Sequence, residues 1–182
     1  CMSAFDAGAR GATHLFNAMS QLGSREPGLV GAALTHPGAS AGLIADAIHV
    51  HPATMQAALA AKMAAAKGAP GRIFLVTDAM ATGGCDLQEF TLNGRTVRRE
   101  EGRLTLEDGT LAGADLNFGR AVSVLVDQVG VSVPDAVAMA TSIPAGLLRD
   151  DMGFGRIGGL ENGLVHLDKT TLQPQQIASF LT

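Results

Sequence analysis

Three titratable side chains each stand at the end of an apolar run that has the composition of a buried strand. They are His14 in the run 11–15, His49 after the run 41–48, and Asp78 after the run 72–77. Imidazole and carboxylate groups bind divalent metals and transfer protons. If the strands are parallel neighbours, as in an α/β barrel, their carboxyl ends lie at one face and bring the three groups together. The pattern therefore predicts an active site at that face.

The chemistry that Asp78 could perform follows from its carboxylate group. A carboxylate beside a divalent ion can accept a proton from the water that the ion binds, because the ion lowers the pKa of that water towards neutrality. The same carboxylate can then protonate a departing amine. Two structural interpretations stay open on the residues alone: Asp78 as the N-cap of a following helix, and His14 as a hydrogen-bonded core histidine.

Helical segments separate these strands. The predicted helices cover 3–10, 28–35, 52–67, 115–129 and 134–148. Helix 52–67 has the strongest signal, since Pro52 suits the first helical position and Lys67 with Gly68 suits the end. Apolar residues recur every four positions within it, at Met55, Leu59 and Met63. Apolar strands that alternate with helices indicate a parallel sheet covered by helices.

The segment 86–111 has a different pattern. Asn93-Gly94 is a hairpin signal, and a second turn is predicted at 107–110. We predict a β excursion here, and a last strand over 163–168. The segment 153–158 satisfies the glycine pattern of dinucleotide-binding loops, but no strand precedes it and no helix follows, so we interpret it as a turn-rich connection.

Composition limits the class of protein. The chain of 182 residues is 47% hydrophobic and 16% charged with a net charge of −4, which excludes disorder. Three lysines, no basic stripe and no apolar run of roughly 18 residues argue against nucleic-acid binding and against a membrane span. Cys1 and Cys85 form no disulfide framework, so we expect a cytoplasmic protein. The chain opens on Cys1 in what reads as mid-domain sequence, and we expect a fragment.

Five segments carry a resemblance to a known family. They are Thr13–Met19, Arg25–Ala32, Ile44–Val50, Leu75–Met80 and Gly109–Gly113. In order and spacing they resemble the N-acetylglucosamine-6-phosphate deacetylases of the amidohydrolase superfamily, over roughly residues 3–160. The resemblance implies hydrolysis of the acetamide of N-acetylglucosamine 6-phosphate to glucosamine 6-phosphate and acetate.

The resemblance also implies a role for individual residues. His14 matches a histidine that binds the divalent metal, zinc or iron, and Asp78 matches the catalytic aspartate. The positions implied to bind substrate are Asn17, Ala18, Arg25 and His49. Arg25 often reaches across a dimer interface in this family, which implies a homodimer, whereas by itself it would form a solvated surface pair with Glu26.

The implied fold is the carboxyl-terminal part of a (β/α)8 barrel, about strands six to eight, over residues 1–160. Residues 161–182 would be the remnant of a small β domain. The other metal-binding residues of the family have no counterpart here, so we expect the chain by itself to be inactive. Two alternatives remain: another amidohydrolase, such as a dihydroorotase-like cyclic-amide hydrolase, and a non-catalytic half-barrel.

Overall fold

A computed structural model describes residues 1–148 and 165–176. At its centre is a parallel sheet of three strands, in the order β1 (Gly11–Ala12), β2 (Ser40–Leu43) and β3 (Ile73–Leu75). Ala41 of β2 lies between Ala12 of β1 and Ile73 of β3. The parallel sheet was predicted correctly, but each strand is shorter than its apolar run.

Left-handed residues interrupt the first two apolar runs. His14 has φ 33° and Ala47 has φ 64°, values that extended backbone does not adopt. The prediction that a strand runs from 41 to 48 and ends directly at His49 was therefore wrong. Residues 44–51 form a loop between β2 and the next helix.

Three helices accompany this sheet. They are α1 (Met2–Asp6), α2 (Gly28–Thr35) and α3 (Pro52–Ala66). Helix α3 begins as predicted, because Nδ1 of His51 accepts a hydrogen bond from the amide of Ala53 at 3.2 Å. It ends at Ala66 because Lys67 is left-handed, with φ 43°.

The apolar residues that recur along α3 are not all buried. Met63 is 78% exposed, and Lys62 is buried in its place. Nζ of Lys62 donates hydrogen bonds of 2.7 Å to the carbonyl oxygens of Ala33 and His36 at the end of α2. Burial, and then the positive charge of Arg72, lower the pKa of Lys62 to about 8. This lysine thus donates to two carbonyls at a helix end, where intrahelical donors are lacking; the His36 carbonyl also accepts from the amide of Ala39.

The core lies between the parallel sheet and the helices that cover it. Its largest buried side chains are Leu15, Val30, Leu43, Ile44, Met55 and Leu125.

The β excursion is an antiparallel sheet of four strands in sequence order. The strands are β4 (Glu89–Leu92), β5 (Arg95–Glu100), β6 (Arg103–Leu106) and β7 (Leu111–Ala114). Asn93 and Gly94 both have positive φ, 50° and 78°, and form the predicted hairpin turn. Gly109, with φ 81°, lies in the second predicted turn.

The two predicted helices that follow are interrupted. Helix α4 (Phe118–Val124) starts at the cap Asn117 and continues as a π-helical segment, Leu125–Val129. The predicted helix 134–148 is two helices, α5 (Val133–Ala140) and α6 (Ser142–Ala145). Pro144 explains the break, because its ring would clash with the carbonyl four residues earlier in a continuous helix. The first predicted helix is also shorter, since α1 ends at Asp6.

The last described elements are β8 (Val165–Leu167) and β9 (Pro174–Gln176), which form an antiparallel hairpin. Strand β8 coincides with part of the strand predicted over 163–168. The glycine pattern at 153–158 lies outside the described residues. Among the residues that the structure describes, no helix is long and apolar enough to cross a membrane.

Candidate functional site at the carboxyl edge of the parallel sheet

The loop after β1 holds an unusual backbone. His14, Phe16 and Ala18 have φ of 33°, 75° and 48°, in a region that costs a non-glycine residue roughly 1–3 kcal/mol. Nε2 of Gln21 fixes the loop by donating to the carbonyls of Phe16 and Met19, at 2.6 and 3.0 Å. Strain held in this way is typical of a binding or catalytic loop.

The far end of this loop is attached to α2. The amide of Leu29 donates to Oγ of Ser20 at 2.8 Å, and the amide of Val30 donates to the Ser20 carbonyl at 3.2 Å. Gly28 has φ 62°, and a Cβ there would lie 2.5 Å from the carbonyl oxygen of Gln21. Only glycine fits this approach.

The ring of His14 is oriented by its own neighbour. Nδ1 lies 2.9 Å from the carbonyl oxygen of Thr13. Because a carbonyl oxygen only accepts, Nδ1 carries the hydrogen and Nε2 keeps its lone pair. Metal-binding histidines have this arrangement, with one nitrogen bonded to a carbonyl and the other free for the ion. His14 therefore fits the role of a metal ligand.

The predicted substrate-binding residues of this loop lie at different places. Asn17 is close to His14, since its amide donates to the His14 carbonyl at 2.9 Å and its Nδ2 donates to the carbonyl of Leu15 at 3.2 Å. Ala18 is exposed beside it. Arg25 is exposed on a more distant turn, and within 1–148 and 165–176 it forms no ion pair, so the surface pair with Glu26 is absent.

The loop after β2 contains a residue that the sequence did not single out. Asp46 is buried, and its Oδ1 accepts hydrogen bonds of 2.8 Å from the amides of both Ile48 and His49. Its Oδ2 lies 2.5 Å from Nδ1 of His49. The two side chains are only 1% and 6% exposed. The spacing of three residues between Asp46 and His49 was the available signal.

Asp46 is ionised in this environment. Burial acts to raise the pKa of Asp46, but the hydrogen bonds from the His49 ring and from the amides of Ile48 and His49 lower it more. The pKa therefore lies below its ordinary value of 3.8. A buried carboxylate with this many donors is a fixed negative charge behind His49.

Asp78 is the third residue after the end of β3 and has φ 52°. The interpretation of Asp78 as a helix N-cap was wrong, because no helix follows it before the β excursion. Its carbonyl instead accepts a hydrogen bond of 2.9 Å from the amide of Ala114, and Ala79 pairs with Ala114 as an isolated bridge. Asp78 is exposed.

Strand β7 approaches Asp78 closely. Gly113 has φ 120°, and a Cβ there would lie 2.6 Å from Sδ of Met80 and 3.2 Å from the Asp78 carbonyl. Any larger residue would have to displace the Met80 side chain and adopt a backbone conformation that favours glycine. The β excursion therefore returns to the edge of the parallel sheet and supports it.

The loops after β1, β2 and β3 all begin at the same edge of the parallel sheet, where the carboxyl ends of the strands lie. The parallel ladder continues past the strands, since the amide of Leu15 donates to the Gly42 carbonyl at 2.7 Å and that of Val76 donates to the Leu43 carbonyl at 3.1 Å. His14, the Asp46–His49 pair and Asp78 all follow this edge, whereas Arg25 lies farther along its loop. No group of three metal-ligating side chains occurs in the part of the chain that the structure describes.

Comparisons with known proteins identify the family. No protein-family profile matches the chain. The chain is 41% identical over 179 residues to the N-acetylgalactosamine-6-phosphate deacetylase of Escherichia coli O157:H7, covering 96% of this chain and 45% of that protein. It is 39% identical over 168 residues to the putative N-acetylgalactosamine-6-phosphate deacetylase of Escherichia coli K12, covering 90% of this chain and 94% of that protein. The chain belongs to the amino-sugar-6-phosphate deacetylase family.

The solved structures agree with this family. The crystal structure of N-acetylglucosamine-6-phosphate deacetylase from Pasteurella multocida matches with a TM-score of 0.76 and 32% identity, over 85% of this chain and 39% of that one. The resemblance found in the five sequence segments is thereby confirmed. The chain spans less than half the length of the Pasteurella multocida protein and of the O157:H7 relative.

Proposed function

We propose that the full-length protein containing this chain hydrolyses the acetamide of an N-acetylated amino sugar 6-phosphate. Water adds to the amide carbon, the C–N bond breaks, and acetate and the free amine leave. The observation that carries this proposal is the placement of His14, with Nε2 free, and of Asp78 along one edge of the parallel sheet in a member of this family.

His14 and Asp78 divide the chemistry between them. A divalent ion, zinc or iron, held in part by Nε2 of His14 would polarise the amide carbonyl and acidify a water molecule. The exposed carboxylate of Asp78 accepts the proton of the attacking water. It then returns that proton to the departing nitrogen, so one side chain serves as base and then as acid.

The sugar phosphate is assigned to Asn17, Ala18, Arg25 and His49. The guanidinium of Arg25 offers a bidentate contact to phosphate, and the backbone amides of the strained loop add donors. Because Arg25 is exposed and far from His14 along its loop, we assign it to the ligand of a neighbouring subunit in a homodimer.

The sugar is N-acetylglucosamine 6-phosphate in this proposal. N-acetylgalactosamine 6-phosphate, which differs only at one hydroxyl, is the second candidate, because the two Escherichia coli relatives carry its name. Strands β1 to β3 would be strands six to eight of the (β/α)8 barrel, with the barrel segment at 1–160 and the small β domain at 161–182.

The proposal is tested by comparing kcat/KM of the full-length protein for the 6-phosphorylated and the unphosphorylated sugar. Arg25→Ala removes a charge-assisted contact, so we expect kcat/KM to fall roughly 10- to 150-fold for the 6-phosphorylated substrates and hardly at all for the unphosphorylated sugar. Arg25→Lys should recover only part of the loss, since an ammonium lacks the guanidinium fork. Arg98→Ala, in the exposed part of β5, is the matched control.

The outcomes separate the alternatives. An equal loss for both kinds of substrate would make Arg25 structural and favour the cyclic-amide hydrolase. Hybrid dimers of Arg25→Ala and Asp78→Asn chains should regain activity that neither parent has, if Arg25 serves the neighbouring subunit. Metal content and turnover of the 182-residue chain itself decide the non-catalytic half-barrel, because measurable deacetylation by that chain would exclude it.

A further inference from the structure

The carboxylate of Asp46 has two separate tasks. Oδ1 accepts the amides of Ile48 and His49 and so shapes the loop, while Oδ2 contacts only the His49 ring in the part of the chain that the structure describes. The contact of 2.5 Å between Oδ2 and Nδ1 thus connects the backbone of this loop to the orientation of the His49 ring.

We propose that Asp46 is a positioning residue for this site: Oδ2 holds the Nδ1–H of His49, so that Nε2 is the ring nitrogen presented to the substrate phosphate. This inference rests on the substrate-binding role of His49 in the proposed function.

The physical reason lies in the two ring nitrogens. An ionised carboxylate only accepts, so Nδ1 must carry hydrogen and the ring cannot turn over without losing that bond. When an anion meets Nε2, a ring protonated on both nitrogens satisfies the phosphate and Asp46 together. With its side chain 6% exposed, His49 has little other solvation, so Asp46 determines which nitrogen faces the ligand.

The first test measures ring protonation in this chain and needs no activity. Nitrogen-15 NMR of the histidine rings at pH 8 should show a proton on Nδ1 of His49. His36 and His51 are internal references, because their Nδ1 atoms accept from the amides of Gly38 and Ala53 and their single proton must be on Nε2. A His49 ring protonated on Nε2 alone overturns the inference.

The second test uses Asp46→Asn. The amide oxygen of asparagine still accepts the two backbone amides, but its NH2 group donates to Nδ1, which moves the ring proton to Nε2. We expect the His49 signals to switch to the pattern of His51 while the midpoint of thermal unfolding changes little. An unchanged His49 pattern in a folded variant contradicts the proposal, and if the variant fails to fold the wild-type spectrum alone decides.

The third test asks whether Asp46 acts through His49. In the full-length protein, Asp46→Asn should raise KM for the 6-phosphorylated substrate about 5- to 20-fold with little change in kcat, because a charged hydrogen bond becomes a neutral one. In a His49→Gln background the same change should have no further effect. Additive losses overturn the inference. If His49→Gln leaves KM unchanged, the substrate-binding role of His49 fails, while the NMR result still judges the Asp46 contact.

Discussion

Four of the five histidines fall into two groups by the partner of Nδ1. In His14 and His49 an oxygen acceptor, the Thr13 carbonyl or the Asp46 carboxylate, takes the Nδ1 hydrogen. In His36 and His51 a backbone amide donates to Nδ1. The two histidines at the edge of the parallel sheet therefore offer Nε2 to a ligand, whereas the other two support turns and a helix start.

The catalytic role of Asp78 is tested by replacing one oxygen of its carboxylate with an NH2 group. In the full-length protein, Asp78→Asn should lower kcat at least about 100-fold and leave KM nearly unchanged, because the amide keeps the shape of the carboxylate without its basicity. Steady-state kinetics on the 6-phosphorylated substrate would measure this. Asp127→Asn, an exposed aspartate on the π-helical segment, is the control. Wild-type kcat in Asp78→Asn would remove Asp78 from the mechanism.

At the scale of elements, Lys62 joins two helices. Lys62→Met keeps the apolar stem but leaves the carbonyl of Ala33 without the Lys62 donor and that of His36 with only the amide of Ala39, so we expect the free energy of unfolding to fall by about 1–3 kcal/mol. Urea unfolding followed by circular dichroism would measure it. Lys67→Met, at an exposed lysine on the same helix end, should change stability by less than about 0.5 kcal/mol. Equal losses in both variants would contradict the role of Lys62.

The same lysine makes stability depend on pH. The folded chain releases the Lys62 proton near pH 8, whereas the unfolded chain keeps it until about 10.5. Between these values the unfolded state binds more protons, so the stability of the wild type should rise with pH. We expect a gain of about 1–2 kcal/mol from pH 8 to pH 10 relative to Lys62→Met. Parallel pH profiles of the two proteins would disprove the assignment.

Elements with strong local signals were predictable from sequence, and those set by side-chain contacts were not. Pro52 at the start and Lys67-Gly68 at the end located α3. Asn93-Gly94 located the hairpin. The length of β2 was overestimated, because the apolar run continues while the Asp46 carboxylate folds its backbone into a loop. Asp46 itself was missed, since a buried aspartate in an apolar run shows its partners only when the loop is built. The sites at His14 and Asp78 were located by motif, and their functions stay predictions.

At the scale of the whole molecule, the outer strands of the parallel sheet each have a strand neighbour on one side only in the described ranges. Within the described ranges β1 pairs only with β2, and β3 has only β2 as a strand neighbour along its length, with α5 and α6 packed near it. Unpaired strand edges favour association. We expect the isolated 182-residue chain to associate as its concentration rises, measured by light scattering after size-exclusion chromatography. The Cys1→Ser/Cys85→Ser variant should behave alike, which excludes disulfide-linked species, and a folded monomer at all concentrations would contradict this expectation.

The hydrogen bond from Ala114 to the carbonyl of Asp78 has a consequence for the order of folding. The backbone beside Asp78 is completed by a strand that comes after the entire antiparallel sheet in the chain. Closing so long a loop is entropically unfavourable until the intervening hairpins have shortened it. The backbone beside Asp78 therefore reaches its final conformation only after the β excursion has folded. A slow hairpin would then delay both the appearance of a competent edge and the burial of Ala114 in the core.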